Sequence, residues 1–511
     1  MNKDFHYYGT YVAARLAGYD FESAQTIAHA AQYVDDSVPA MLDRCCLEGL
    51  TPIPTSHSEA ELKKASGGKA WNENFLDEIG RVWPVFHFLP GNLENKETYQ
   101  GPLSDSGLEA NWDYDDEAKE QFKLMCLPNS NLVKGIIDEL IFGDSLTLHD
   151  VGIRMHVLAD TWAHKYFSGV PAWFTNRSSD FKNLTAKLEN PLEMPDWLFY
   201  NSFYYLGHAC AGHWPDYPFL KYQYKPKWRN EKVTKDNPGD FLLAFKQLVE
   251  ALRCIKANEE FKLDTYDGLK EGKNEEIIKQ ILDTQMHDQC DKWKRCIPDI
   301  EVDGKKLEIP ADYDTELWLT QARRTNSDPK NTDYYKFNKA AIRHFDYVKN
   351  LLASKNVFIG GIPKERILRC KLKTLEGGKY ISTVEMWGQA YPTLGNSPVT
   401  LELILPDKNL VTGMNVKIRT TEGNSSLGNH LYLGAWPLDC LYYYTRDYNI
   451  FNQKWSIEQD DKEKGSPVDF TKPIVIKNQA FKDAPYIAPD RKYLTTRSKK
   501  FYFTLEKVNV E

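Results

Sequence analysis

The sequence predicts a multidomain α + β protein: a mainly α-helical, metal-binding domain over residues 1–358 and an all-β domain over 359–511. Three observations carry that reading. Apolar residues recur at helical spacing through about the first 355 residues. After Gly360-Gly361-Ile362-Pro363 they alternate in short runs broken by Gly, Asn, Asp and Pro, which is strand patterning. Nine of the twelve histidines fall within the first 213 residues, and histidine is the commonest side-chain ligand for transition metals.

At 511 residues the chain is too long for one ordinary core. Its 42% hydrophobic and 27% charged content describe a globular protein. No apolar run approaches the roughly 20 residues of a membrane-spanning helix. The opening MNKDFHYYGTYVAARLAGY has neither an uninterrupted apolar core nor a small-residue cleavage site. The expected location is therefore the cytoplasm, or outside the cell after export without a classical signal. A net charge of −8 argues against broad attraction to nucleic acid or anionic membrane. Nine cysteines, with an adjacent Cys45-Cys46 pair and no CxxC, read as reduced thiols rather than a disulfide framework or zinc ribbon.

Helical spacing marks 7–18 and 21–34, then 131–142, 148–167 and 195–211, and finally 240–257, 274–296 and 333–352. The polar, Pro-containing stretches 56–69 and 301–314 read as loops. Strands are expected at 367–373, 399–405, 414–419, 431–434 and 473–477. Val399-Thr-Leu-Glu402, Trp455-Ser-Ile-Glu458 and Phe503-Thr-Leu-Glu506 share a pattern at intervals of about 50 residues. That periodicity favours a β-trefoil, with a β-sandwich as the alternative.

The candidate site centres on His156, Asp160 and His164, at i, i+4 and i+8. Each four-residue step adds about 40° beyond a full turn, so the three side chains point broadly the same way. His149 shares the stripe if the helix reaches back to it. A polar face whose members bond one another has the same spacing; the histidine crowding favours metal. His6 lies just before the first helix and His29 in the second, and His87 is enclosed by Pro84-Val-Phe and Phe-Leu-Pro90. Asp36 is at i+7 from His29 and shares its face, whereas Asp35 lies about 100° away. Phase therefore favours Asp36 as ligand and Asp35 as its neighbour or as a base. His208 and His213 flank small residues that allow a tight turn; Cys210 between them reads as structural, and His57 as surface. So many N/O donors exceed one tetrahedral zinc and suit two or three zinc ions sharing carboxylates, with manganese or iron as alternatives.

His156-Val-Leu-Ala-Asp160 followed by His164, in a mainly helical domain, resembles the zinc-dependent phospholipase C and single-strand nuclease superfamily. The resemblance covers about residues 1–220. It implies that Asp36 (or Asp35) and His87 complete one metal site, and that His208 and His213, with Asp216 as a substitute, complete another. It implies phosphodiester hydrolysis by a hydroxide generated on the metals, with Asp35 orienting or deprotonating it and Asp160 bridging two ions. That superfamily also uses the amino group of an N-terminal Trp. Here the chain begins Met-Asn-Lys, and His6 and His29 would take that role. His164 follows Asp160 at +4 where the superfamily usually has +6, and the downstream pair is i, i+5 rather than His-x-x-x-Glu or Asp. Phe5-His-Tyr-Tyr-Gly-Thr-Tyr-Val-Ala-Ala-Arg-Leu-Ala-Gly18 and Ala30-Ala-Gln-Tyr-Val-Asp-Asp36 are also similar to a bacterial family of uncharacterised proteins.

The expected function is a metal-dependent phosphodiester hydrolase acting on a phospholipid or small phosphodiester rather than a nucleic acid. The β domain would bind a glycan or membrane-surface target, with Trp387, Trp436 and Tyr442-Tyr443-Tyr444 as stacking residues or as core. Two alternatives stand beside it. One is an HD-type phosphohydrolase built on His149-Asp150 and His29; the other is a non-enzymatic, toxin-like glycan or lipid binder with structural metal.

Overall fold

The computed structural model describes residues 1–45, 47, 50–58, 61, 73–100, 122–170, 172–185, 206–286, 289–324, 328–359, 366–386, 388–406, 409–422, 424–425, 428–429, 431–435, 441–444 and 451–508. The chain forms two compact units. The first comprises Met1–Gly68, Asn74–Gly101 and Glu120–Gly360, and Gly361–Glu511 makes up the bulk of the second. No described helix is long and apolar enough to cross a membrane.

The first unit is mainly helical. A π-helical turn at Asp4–Gly9 runs into α1 (Thr10–Leu16), followed by α2 (Phe21–Asp36), α3 (Glu73–Phe86), α4 (Asn131–Phe142) and α5 (Leu148–Ala163). Then come α6 (Asn237–Ala257), α7 (Lys273–Leu282), α8 (Cys290–Cys296), α9 (Leu317–Arg324) and α10 (Asp333–Ser354). Their starts are chemically marked. Asp20 accepts a hydrogen bond from the Ser23 N–H at 2.7 Å, and Ser130 accepts one from the Val133 N–H at 3.2 Å. Thr147 and Asp150 close a reciprocal capping box on α5. Helix α5 is the axis of the unit, buried from His149 to Ala163 and packed by α2, α6 and α10.

Gly152 decides how α5 meets α2. A Cβ there would stand 2.4 Å from the Ile27 carbonyl oxygen and 2.5 Å from the Ala30 Cβ, so only glycine permits this approach. One turn beyond that crossing lie His156 on α5 and Asp35 on α2.

Some expectations are corrected. The 148–167 helix stops at Ala163, where His164 turns out of helical geometry and Tyr166 takes a positive φ of 81°. The expected 274–296 helix is two helices, α7 and α8. Residues 195–205 lie outside the described set, and beyond them only a 3-10 turn forms at Ala209–Ala211. His57 is buried rather than on the surface. An antiparallel sheet of β1 (Ser178–Asn183), β2 (Lys221–Pro226) and β3 (Val233–Asp236) interrupts the helices, with Tyr222 and Tyr224 on its buried face. A small hairpin joins β4 (Glu301–Val302) and β5 (Lys305–Lys306) through Asp303-Gly304, with φ of 49° and 76°, the conformation that Asp-Gly hairpin turns favour.

The second unit is all β. Its strands begin with β6 (Ile367–Thr374), β7 (Tyr380–Met386), β8 (Gln389–Gly395), β9 (Leu401–Ile404) and β10 (Asn415–Thr420). A short pair follows, β11 (Asn424–Ser425) and β12 (Gly428–Asn429), and then β13 (Tyr432–Ala435) and β14 (Leu441–Tyr444). The last are β15 (Trp455–Glu458), β16 (Val475–Asn478), β17 (Tyr486–Asp490), β18 (Tyr493–Arg497) and β19 (Phe503–Lys507). Nine of them close an antiparallel barrel in the order β8-β18-β17-β16-β15-β10-β9-β6-β7 and back to β8. Strands β13 and β14 bridge β10 to β8, and β19 pairs with β6. Leu401, Leu403, Val416, Ile418, Trp455 and Ile457 fill its core.

This is a barrel and not a trefoil. The three similar segments occupy inequivalent places: β9 and β15 both flank β10, while β19 pairs with β6 outside the closed ring. Alternation drives both architectures, but pairing partners distinguish them, and closure leaves the ring strands without open edges.

Candidate metal centre

Asp160, only 1% exposed, is the hub of the first unit. Its Oδ1 lies 2.8 Å from the Met1 α-amino nitrogen and 3.1 Å from His6 Nε2. Its Oδ2 lies 3.1 Å from both His87 Nδ1 and His156 Nε2, and 3.7 Å from His164 Nδ1. Asp35 Oδ1 approaches His87 Nδ1 and His156 Nε2 at 3.8 Å each. Asp216 forms the other end. Its Oδ1 is 3.3 Å from the Met1 nitrogen and 3.4 Å from His164 Nε2, and its Oδ2 is 3.6 Å from His208 Nε2.

Several local devices aim these groups. Tyr7 and Tyr11 donate to the carbonyls of Ala311 and Glu308, each at 2.7 Å, and the buried Asp4 carboxylate accepts from the Gln289 N–H. These bonds flank His6 on both sides. Thr55, tied to the Ser37 and Val34 carbonyls at the end of α2, offers its own carbonyl to His87 Nε2 at 2.9 Å. His164 Nδ1 bonds the His87 carbonyl at 2.8 Å, and His208 Nδ1 bonds the Gly212 carbonyl at 2.7 Å. A carbonyl only accepts, so each of these ring nitrogens carries a proton and the opposite nitrogen faces the cluster. That arrangement fixes the tautomer of metal-ligating histidines.

Three His/Asp groups could hold a metal ion: His6, His156 and Asp160; Asp35, His87 and His156; and His164, His208 and Asp216. His156 stands in two of them, although one ring nitrogen ligates only one ion. Asp160 belongs to the first group, and its Oδ2 also faces His87 of the second.

Electrostatics agree with a site built for cations. Burial pushes His6 and His208 down to about 4, and His156 well below its usual range, so all three are neutral near pH 7. Burial, with Asp160 close by, pushes Asp35 up to about 8. Against their own burial, Asp160 is held far below the carboxylate range by His164, the Met1 amine and its other histidines, and Asp216 by the Met1 amine and His208. Against its burial, the Met1 amine is raised to about 11 by Asp160, Asp216 and Asp35. His87 is raised in the same way by Asp160 and Asp35. The Met1 ammonium supplies positive charge beside Asp160 and Asp216, and protonation of Asp35 removes a negative one; bound cations would take over both roles.

Eight of the side chains weighed from sequence therefore meet: His6, Asp35, His87, His156, Asp160, His164, His208 and Asp216. His29, Asp36 and His213 do not join the three groups. His29 lies in an aromatic box, its ring centre 4.1 Å from Trp318 and 4.7 Å from Tyr313. Asp36 accepts from the Tyr313 hydroxyl at 2.6 Å and from Gln32 at 3.2 Å. The glycine crossing explains the exchange: it turns the Ala31 face of α2 toward α5, and Asp35 follows Ala31 by one turn. His213 is 65% exposed, swung outward after Gly212 at φ 56°, with its Nδ1 still 3.9 Å from Asp216 Oδ2.

His149 pairs instead with Asp333 at 3.2 Å, and Asp150 is held by Arg343 and Thr147. Cys210 stands outside the three groups. The Met1 amine is the participant that residue patterns did not single out.

Residues 1–352 match a family described as a family of unknown function, DUF6765. The chain belongs to that family. No curated protein matches the sequence. Among solved structures, the lysenin pore shares 18% identity at a TM-score of 0.23, covering 28% of this chain and 47% of that one. Lysenin in complex with phosphocholine gives the same identity and TM-score, covering 30% and 47%. A Caenorhabditis elegans protein of unknown function shares 8% identity at a TM-score of 0.23, covering 27% and 92%. The chain thus spans about half the length of the lysenin chains it matches.

Proposed function

We propose that this protein is a metal-dependent phosphodiester hydrolase that works with two or three zinc ions. The observation that carries the reading is Asp160, buried, with Oδ1 turned to His6 and Oδ2 turned to His87 and His156. The nitrogen-rich donor set favours zinc over manganese or iron. When bound, the ions supply Lewis acidity and lower the pKa of water.

The protein's own groups divide the remaining work. His6 and His156 form the dry floor of the site, while Asp35 is 29% and His208 18% exposed, which places the open edge at these two residues. Substrate approaches there. Asp35, whose own proton bound cations would displace, orients the attacking water and takes a proton from it. Asp160 and Asp216 would hold the cations that receive the phosphate and keep their histidines in register.

The substrate is a phospholipid or a small phosphodiester. The β unit serves target binding, toward a glycan or a membrane surface. Trp387 and Trp436 lie outside the described residues. Tyr443 is core, and Tyr442 and Tyr444 are half-buried, leaving those two as the aromatic candidates.

Metal analysis of the purified chain tests the first step and should find two or more equivalents of zinc. Asp160→Asn should then abolish hydrolysis of bis(p-nitrophenyl) phosphate while the far-UV circular dichroism stays unchanged. Full activity in that variant would sink the proposal.

A further inference from the structure

The β unit carries a polar cleft of about 380 Å³, within the roughly 300–1,000 Å³ typical of small-ligand sites. Its floor is where β15 runs beside β16, with Ser456 paired to Lys477 in register. Four ammonium groups surround it, on Lys462, Lys464, Lys477 and Lys500, against the carboxylates of Glu458 and Asp460.

Those carboxylates are committed. Lys477 sits 3.6 Å from Glu458, and Lys500 sits 2.6 Å from Asp460, which also accepts from the Tyr502 hydroxyl at 2.6 Å. Among the described residues, Lys462 and Lys464 form no close ion pair, and Lys462 acts on Asp461 and Asp469 at longer range. The residues lining the cleft thus carry four lysines against two carboxylates, in a protein whose net charge is −8.

The floor adds a directed donor. Ser456, 2% exposed, accepts the Gln479 side-chain N–H at 2.9 Å, which leaves its hydroxyl proton free to donate to a ligand oxygen. Gly413 lines the same wall at φ 72° and packs against the Lys464 stem, so no side chain intrudes there.

We infer that this cleft binds a phosphate monoester dianion, carried by a soluble molecule or by a lipid headgroup. Compact ammonium groups are strong point-charge partners for phosphate, and a buried hydroxyl adds orientation. A neutral sugar would leave the excess lysine charge unmatched. The site is separate from the Asp160 cluster, and its existence does not depend on the hydrolase reading.

The test uses the full chain, stripped with a chelator and dialysed, so that bound metal does not capture the probe. Inorganic phosphate is titrated calorimetrically. Flotation then compares vesicles of phosphatidylcholine alone with vesicles that also contain phosphatidic acid. Binding should weaken with added salt, and the double variant Lys464→Gln/Lys477→Gln should lose about tenfold in affinity, close to 1.4 kcal/mol. Lys464 is exposed, so Lys464→Glu is a second variant that leaves the fold intact; it should weaken binding further. Phosphate binding without vesicle binding assigns a soluble ligand, whereas selective capture of phosphatidic acid vesicles assigns a headgroup. The inference is overturned if the unaltered chain binds neither probe, or if the lysine variants bind as tightly as it does.

Discussion

Asp160 and Glu402 are both buried carboxylates, 1% and 3% exposed, and their surroundings differ in a way that separates a reactive site from a structural one. Glu402 on β9 lies in register between Arg369 on β6 and Arg419 on β10, each donating its Nε–H at 2.9 Å. Guanidinium is always charged, so the two counter-charges that face this carboxylate are permanent. Asp160 meets imidazoles whose burial favours their neutral form, and an α-amine it shares with Asp216. Its compensation is exchangeable: protons or metal ions can fill the same role. A buried carboxylate by itself signals nothing. What it faces decides whether it is a rivet or a site.

The largest expected effect follows directly. Asp160→Asn removes the carboxylate that faces His6, His87 and His156, and hydrolysis of a phosphodiester should fall by about two orders of magnitude or more. Elemental analysis should show the loss of at least one metal equivalent. Retention of every ion would put Asp160 in the same class as Glu402.

Glu402→Gln should act on stability alone. Arg369 and Arg419 would lose their counter-charge, but both are about a quarter to a third exposed, so the cost is about 2–3 kcal/mol rather than the 3–5 of a fully buried pair. Denaturant unfolding of the β unit reads this, and metal content should not change. Loss of metal in Glu402→Gln would break the contrast.

A third experiment asks how the helical unit responds to pH. His344 is buried, bonded to the Val85 carbonyl at 3.1 Å, and lowered to about 3 by burial with the Arg154 guanidinium nearby. Its contribution is complete above its unfolded value near 6.5. Below that the unfolded chain takes up a proton that the folded chain refuses, and stability drains away as pH falls toward 3. From pH 7 to pH 5 this amounts to about 2 kcal/mol, measured by denaturant midpoints. His344→Gln, which keeps a donor for Val85, should flatten that slope; an unchanged slope would locate the proton uptake elsewhere.

The smallest effects belong to the histidines outside the three groups. His29→Phe and His213→Ala should leave metal stoichiometry intact, with affinity changed less than about threefold. A lost equivalent in His213→Ala would move that side chain into the site.

Much of this was legible in residue patterns. Helix 131–142 and the strands near 367–373, 414–419 and 431–434 appear close to where periodicity places them, because local amphipathicity is enough to define them. The i, i+4 pair His156 and Asp160 was legible for the same reason. The Asp35/Asp36 choice was not, because helical phase was referenced to His29, whose face turns to an aromatic box. The choice of Asp216 over His213 needed the backbone reversal at Gly212. The small sheet β1–β3 was missed because Lys221-Tyr-Gln-Tyr-Lys-Pro226 is short, although its alternation was present.

By itself the sequence determined two architectures, helical and then all β, and a helix that carries His156 and Asp160 on one face. These are properties of spacing along the chain, set by backbone periodicity and burial of apolar stripes. Tertiary structure alone decided that the β strands close into a nine-strand barrel, that Asp35 turns inward, and that the Met1 amine meets both Asp160 and Asp216. Each of those depends on contacts between distant segments. The close crossing at Gly152 is where such a contact sets the site.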